Sequence, residues 1–429
     1  MTPRLEDPLD RAARTVIVAL CRRLVVDRLD IVEPGVTHRF GDEDPDELGR
    51  PALRATMTVR DPRAWRMVLT GGSAGLGEAY LEGMWEADDL TTVLRILSRA
   101  TRRTDRHRSS VQRATGPATD AVRRLRRQDK HRDRSNIRAH YDLGNDFFEH
   151  FLDPTMMYSA AVFPTWDAPL EDASREKLDR LCRLLDLRPE ERVVEIGTGW
   201  GGFAVHAARH YGARVTTTTI SAEQHAYATE RVAREGLADR VTVLHDDYRD
   251  LSGTYDKLAS IEMIEAVDWR EHDTFFGHCR RLLRPDGLMA LQAIVIEPQR
   301  YERAKNTRDF IKAFIFPGGC LPSMEAIVRS IGRVTDLTVT AVDDYGLHYA
   351  ETLRRWRANL HDDESALDTM GLDERFVRMW DFYLCYCEAA FDERSISVVQ
   401  MALARPAWRP HEAPVSTATD RAGRSISVS

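Results

Sequence analysis

The sequence predicts an α/β protein: a doubly wound parallel sheet preceded by a smaller α+β unit. Two observations predict it. From about residue 136 onward, short apolar runs alternate with amphipathic segments, the pattern of strands joined by crossover helices. One of those runs, VVEI at 193–196, opens directly onto the glycine-rich stretch GTGWGG, and such a loop between a strand and a helix brings backbone close to a ligand.

The first 98 residues read as the smaller unit. A helical start over Arg11 to Leu29 is followed by strand-like alternation in LRATMTVRD, then by GGSAGLGEAYLEGMWEADDLTTVLRIL with helical patterning. Residues 99–135 read differently. Between Arg99 and Arg138 there are 14 Lys or Arg against 4 Asp or Glu, although the whole chain carries a net charge of -7. Like charges with few large apolar residues do not bury enough surface to order themselves alone, so this stretch is a basic linker. It is either a solvated tether or a segment drawn to an anionic surface of lipid headgroups or nucleic acid. Arginine outnumbers lysine 56 to 5 over the chain, a bias we assign to coding composition.

The larger unit, 136–410, supplies strands at VVEI, RVTTTT, VTVLH, DKLASIEM and LMALQAIVI, with helices such as SAEQHAYATERVAREG between them. After Ile296 the alternation breaks into QRYERAKNTRDFIKAFIFPGGCLPSMEAI, an insertion at the carboxyl edge of the sheet and a candidate lid. Residues 411–429 are rich in Ser, Thr and Pro and read as a disordered tail.

At 429 residues and 43% hydrophobic, the chain is long enough for two or three domains, and it has no apolar run of membrane-spanning length. MTPRLEDPLDRAARTVIVAL has neither the apolar core nor the cleavage site of a secretion signal, so a cytoplasmic protein is expected. The six cysteines lack a CxxC pair, which argues against a zinc ribbon or a disulfide framework. His206 and His210, four apart on a helix, lack an evident third ligand, and no metal site is expected.

The glycine loop by itself admits NAD, FAD or S-adenosylmethionine (SAM). Two features favour SAM. Glu195 stands two residues before Gly197, where a carboxylate suits the methionyl ammonium better than a pyrophosphate. The second strand ends in VTTTTIS, without the acidic residue that usually holds a dinucleotide ribose.

Six motifs in order extend this reading: HYDLGNDFFEHFLDPTMMYS (140–159), EIGTGWGGFAVHAA (195–208), TISAEQ (219–224), DYRDL (247–251), SIEMIEAV (260–267) and FIFPGGCLPS (314–323). Together they resemble the cyclopropane-fatty-acyl-phospholipid synthase family, which includes mycolic acid cyclopropane synthases and unsaturated-fatty-acid methyltransferases. The resemblance covers about 136 to 405, and GSAGLGEAYLEGMWEADDL with the linker extends it to two-domain members that act on phospholipids. It implies that the sheet is the Rossmann-like sheet of a SAM methyltransferase, and that the reaction adds a methyl group to the cis double bond of an acyl chain through a carbocation.

By the same resemblance, Tyr158, Ser159, Gly197, Gly199, Gln224, Asp247 and Tyr248 should contact SAM, Thr219 and Ile220 should flank its ribose and adenine, and Trp200 should shape the glycine turn. Tyr141, Phe147, Tyr158, Tyr349 and Phe316 are candidate aromatic shields for the cation. His140 and Asp142 either contact the cofactor or fix the loop that closes over it. Family members that form cyclopropanes bind bicarbonate as the proton acceptor, at positions that match Ala160, Glu265, Gln292, Ile294 and Tyr349 here. Three agree with the family pattern; Ala160 and Gln292 replace a Cys and a His. Either a weakened bicarbonate site persists, or a carboxylate takes the proton, with Glu265 and Glu149 as candidates. Glu149 reads more readily as a solvated helix residue.

Because the base site departs from the cyclopropane pattern, a methylene product is expected, with a cyclopropane as the alternative and small-molecule methylation as a further one. The implied partners are phospholipid acyl chains at an anionic membrane surface, with the enzyme peripheral to its inner face and no nucleic acid. A homo-oligomer and a reductase partner are compatible with that role.

Overall fold

The computed structural model describes residues 7–45, 49–111 and 144–410. Helix α1 (Pro8–Leu24) begins where the Asp7 carboxylate accepts the Leu9 N–H at 2.9 Å and Pro8 presets the first turn. It ends at Leu24, five residues short of the expected Leu29, because Val25 is extended and Arg28 already opens a strand.

Strands β1 (Arg28–Glu33), β2 (Val36–Phe40), β3 (Arg54–Val59) and β4 (Trp85–Ala87) form a mixed sheet in the order β2-β1-β3-β4. Alternate residues of β1 and β3 are buried, as a sheet with one covered face requires. Helices α2 (Arg63–Gly71) and α3 (Ser73–Leu81) lie between β3 and β4, and α4 (Leu90–Val111) follows.

Helix α4 runs straight through residue 99, where a linker was expected to begin. Arg99 and Arg102, the first basic residues of that expected stretch, are ion-paired, as is Arg95 one turn earlier. Arg95 Nε donates to Glu393 at 2.8 Å; Arg99 bridges Glu393 and Asp27 at 2.7 Å each; Arg102 reaches Glu297 and the Glu393 carbonyl. Spaced by four and three residues, they share one helix face.

The second sheet is built from β5 (Arg192–Ile196), β6 (Arg214–Thr218), β7 (Val241–Leu244), β8 (Tyr255–Ile261), β9 (Leu283–Ile296), β10 (Thr338–Asp344) and β11 (Ile396–Ala404). Its order is β10-β11-β9-β8-β5-β6-β7. Strands β5 to β9 pair in parallel, and β11 runs antiparallel between β9 and β10. The chain leaves β5 towards β6 and returns on its other side as β8, so the carboxyl end of β5 is a topological switch point.

Ahead of this sheet lie α5 (Asn145–Phe151) and α6 (Leu170–Leu184). Its crossovers are α7 (Gly202–Tyr211), α8 (Ala222–Arg234) and α9 (His272–Leu282). The expected lid contains α10 (Pro298–Ala304) and one π-helical turn, Ile311–Ile315, before α11 (Met324–Val334). Helices α12 (Gly346–Asp362), α13 (Glu364–Thr369) and α14 (Glu374–Asp392) precede β11.

One hydrophobic core joins the N-terminal layer to α12 and α14. Phe310 and Phe382 press on α3 at Gly77, where a Cβ would fall 2.2 Å from the Phe310 ring. Arg378 of α14 lies over the Tyr80 ring at 4.1 Å and donates to the Tyr80 carbonyl. No helix among the described residues is long and apolar enough to cross a membrane.

Candidate active site

Strand β5 is buried from Val193 to Ile196 and delivers the glycine loop to the switch point. Gly197, Gly199 and Gly201 have φ of +102°, +51° and +81°, a region that side chains with a Cβ resist. The loop is pinned by Gly197 and Thr198 N–H groups donating to the Thr218 carbonyl at 3.2 and 3.0 Å. Trp200 donates to Asn145 Oδ1 at 2.8 Å and packs its ring 4.7 Å from Phe148, tying the turn to α5.

Glu195 is 2% exposed, and its Oε2 has no hydrogen-bond partner. Burial pushes its carboxyl up to about 8, against the Thr217 hydroxyl and the charge of Lys177. A buried, unpartnered carboxylate oxygen at a switch point suits a cationic ligand group. On the adjoining rim Thr219 donates to Gln224 at 2.8 Å, and Ile220 is left 76% exposed, an apolar shelf of the kind an adenine ring covers. Asp247 is held by Arg249 at 2.8–2.9 Å, which keeps its carboxyl below the usual range; Tyr248 lies edge-on to Phe275. These residues fit SAM: Glu195 for its ammonium and Ile220 for its base.

Beside this loop is an aromatic chamber. Tyr158 and Tyr383 hydroxyls meet at 3.0 Å, and the Tyr158 ring has Trp356 and Phe148 at 5.4 Å and Phe316 at 6.4 Å. Tyr349 stands 4.4 Å from Phe391 and 6.1 Å from Trp356. Phe147 is a buried packing residue against Trp380 and Phe376.

At the end of β8 the backbone turns left-handed at Glu262, φ +50°. Its carboxylate accepts three hydrogen bonds: the Ala160 N–H at 2.8 Å, Gln292 Nε2 at 2.7 Å and the Tyr349 hydroxyl at 2.7 Å. Gln400 Nε2 donates to Gln292 Oε1 at 2.9 Å, which aims the other end of that amide at Glu262. Three residues on, Glu265 accepts the Ile294 N–H, while its Oε2 is buried without a partner. Burial and the neighbouring Glu262 charge push the Glu265 carboxyl up to about 8. Lys177, with no exposed surface, donates to Ser159 at 2.7 Å; burial lowers its ammonium to about 8 against the charges of Glu262, Asp153 and Glu195.

The structure thus brings Ala160, Glu265, Gln292, Ile294 and Tyr349 together, with Tyr158 and Ser159 alongside. It does not bring Glu149, which is exposed on α5 and interacts with Tyr227, so the desolvated second base expected there is absent from the cluster. Tyr141, His140 and Asp142 lie outside the described residues, as do Arg123, Arg124, Arg126 and Arg127. Sequence reasoning missed Glu262, Lys177, Tyr383 and Gln400. The signal for Glu262 was a second carboxylate within SIEMIE, at the end of an otherwise buried strand. His206 is paired with Asp179 at 2.8 Å, and no metal-binding cluster is found among the described residues.

A switch-point glycine loop, an orphaned carboxylate at the strand end and an apolar chamber beside them define a SAM-dependent methyltransferase. Residues 128–401 match the family model for mycolic acid cyclopropane synthetase. The chain is 40% identical over 344 residues to tuberculostearic acid methyltransferase UfaA1 of Mycobacterium tuberculosis, covering 78% of this chain and 79% of that one. It is 36% identical over 353 residues to the cyclopropane-fatty-acyl-phospholipid synthase of Escherichia coli, covering 82% and 88%. Among solved structures, the cyclopropane synthase MmaA2 of Mycobacterium tuberculosis superposes with a TM-score of 0.58 at 30% identity, covering 62% of this chain and 96% of that chain. The mycolic acid cyclopropane synthase CmaA1, complexed with SAH and CTAB, gives 0.57 at 31%, covering 63% and 97%. The chain belongs to the mycolic acid cyclopropane synthetase family and is an enzyme of its SAM-dependent, lipid-modifying type.

Proposed function

We propose that this enzyme methylates the cis double bond of unsaturated fatty-acyl chains in phospholipids and releases a methylene product, the precursor of a methyl branch. Bound SAM supplies an electrophilic methyl group. The alkene is a weak nucleophile, so the chain's task is to align it and exclude water. The faces of Tyr158, Tyr349 and Trp356 stabilise positive charge as it develops on the acyl chain.

The observation that carries the product is the altered base site, in which Ala160 and Gln292 surround a carboxylate of the chain itself. If the cation loses a proton of the added methyl directly, the ring closes. If a hydride shifts first, proton loss leaves an alkene. The two products have equal mass, so the test is to incubate monounsaturated phospholipid vesicles with SAM and examine the lipids by ozonolysis and NMR. An ozonolysis-sensitive exocyclic methylene is expected; a resistant ring would establish the cyclopropane alternative, which the Escherichia coli relative's name favours.

A methylene product calls for a hydride-donating reductase to complete the branch. The basic stretch around Arg123, Arg124, Arg126 and Arg127 would hold the enzyme against the anionic inner face of a membrane, each charge near the surface contributing about 1 kcal/mol. Neutralising all four should weaken binding to anionic vesicles and leave SAM affinity unchanged; vesicle co-sedimentation and calorimetry measure the two. Unchanged sedimentation would remove the linker from the membrane model.

A further inference from the structure

We infer that Glu262 is the proton acceptor of this enzyme and stands where relatives place bicarbonate, so that the reaction needs no added anion. The inference rests on the methyl-transfer reading above.

It starts from the donors. The groups that the resemblance assigns to bicarbonate are the 160 and 294 positions, residue 292, Glu265 and Tyr349. Here the Ala160 N–H, the Gln292 amide and the Tyr349 hydroxyl all end on Glu262, and the Ile294 N–H ends on Glu265. A further anion would find those donors taken and the Glu262 carboxylate facing it, an arrangement that costs rather than contributes energy. The residues present do not fit bicarbonate.

The backbone supports the same conclusion. A non-glycine residue in the left-handed region is strained, and such strain persists where the surrounding structure holds it in place. At Glu262 it accompanies a side chain whose carboxylate accepts the Ala160 N–H. Gln400 fixes the Gln292 amide so that its NH2 faces Glu262, which suits an ionised carboxylate.

The step balances without an outside reagent. The alkene π pair forms the new C–C bond as the C–S bond breaks onto sulfur, which leaves a cation on the acyl chain. A hydride shifts from the methyl-bearing carbon to the cationic one, Glu262 then removes a proton from the added methyl group, and that C–H electron pair becomes the exocyclic alkene of the product. The proton passes to solvent as product leaves.

The test uses the full-length enzyme with monounsaturated phospholipid vesicles, in buffer stripped of CO2 and again with bicarbonate added. The wild-type rate is expected to be the same in both. Glu262→Gln should lose on the order of a hundredfold or more in kcat, the scale of general-base catalysis, with SAM affinity retained by calorimetry. Glu262→Gly relieves the backbone strain and opens the site; its residual rate should rise on the order of tenfold with bicarbonate. Three results would overturn the assignment: a wild-type rate that collapses without bicarbonate, an E262Q enzyme that keeps most of its activity, or an E262G enzyme indifferent to bicarbonate. No methylated lipid from the wild type with bicarbonate present would instead overturn the methyl-transfer reading itself.

Discussion

Glu195 carries a consequence for cofactor binding that pH exposes. Its carboxyl is pushed up to about 8 by burial, so below that pH the site holds a proton that a methionyl ammonium must displace. SAM affinity is therefore expected to rise as pH climbs towards 8, by up to about tenfold per unit, and to level off beyond it. The folded pKa also lies above the ordinary 4.5, so the native state binds the extra proton between those values and loses stability as pH rises through the window. Glu195→Gln should weaken SAM binding and flatten both profiles; calorimetry and urea titrations at stepped pH measure them. An E195Q profile as steep as the wild type's would place the titration on another group. Glu195 and the glycines were legible in the sequence because strand, carboxylate and loop are consecutive. Glu262 was not, since its donors lie 30, 87 and 102 positions away and its aim depends on one left-handed backbone angle.

Among elements, α4 shows what composition conceals. Arg99 and Arg102 read as linker because charge was counted without its partners, and those partners, Asp27, Glu297 and Glu393, are distant in the chain. Arg99 is the tightest case: it satisfies two carboxylates that are each less than a tenth exposed. Arg99→Ala leaves both without their shared cation, and a loss of about 2–4 kcal/mol is expected in denaturant unfolding, discounted from a fully buried pair because Arg99 itself is partly solvated. A change under about 0.5 kcal/mol would reduce the bridge to a surface pair. The alternating strands and helices of the larger sheet were readable from period alone, because the central strands β5, β8 and β9 bury their own apolar runs. The antiparallel β11 was not, because its place between β9 and β10 is set by pairing rather than by its own pattern.

At the scale of the molecule, the predicted succession of a small unit followed by a large one describes the order of the chain better than its packing. The N-terminal layer completes its core with α14 and the lid segment, through Gly77 against Phe310 and Phe382 and through the Tyr80 hydroxyl donating to Asp381 across 301 positions. That long reach has a cost in time. A ribosome adding about 5–20 residues per second takes about 15–60 seconds to make the intervening chain. Throughout that interval α3 and its neighbours have been synthesised while the surface that covers them has not. The nascent protein therefore depends, for most of its own synthesis, on whatever shelters apolar surface at the ribosome exit.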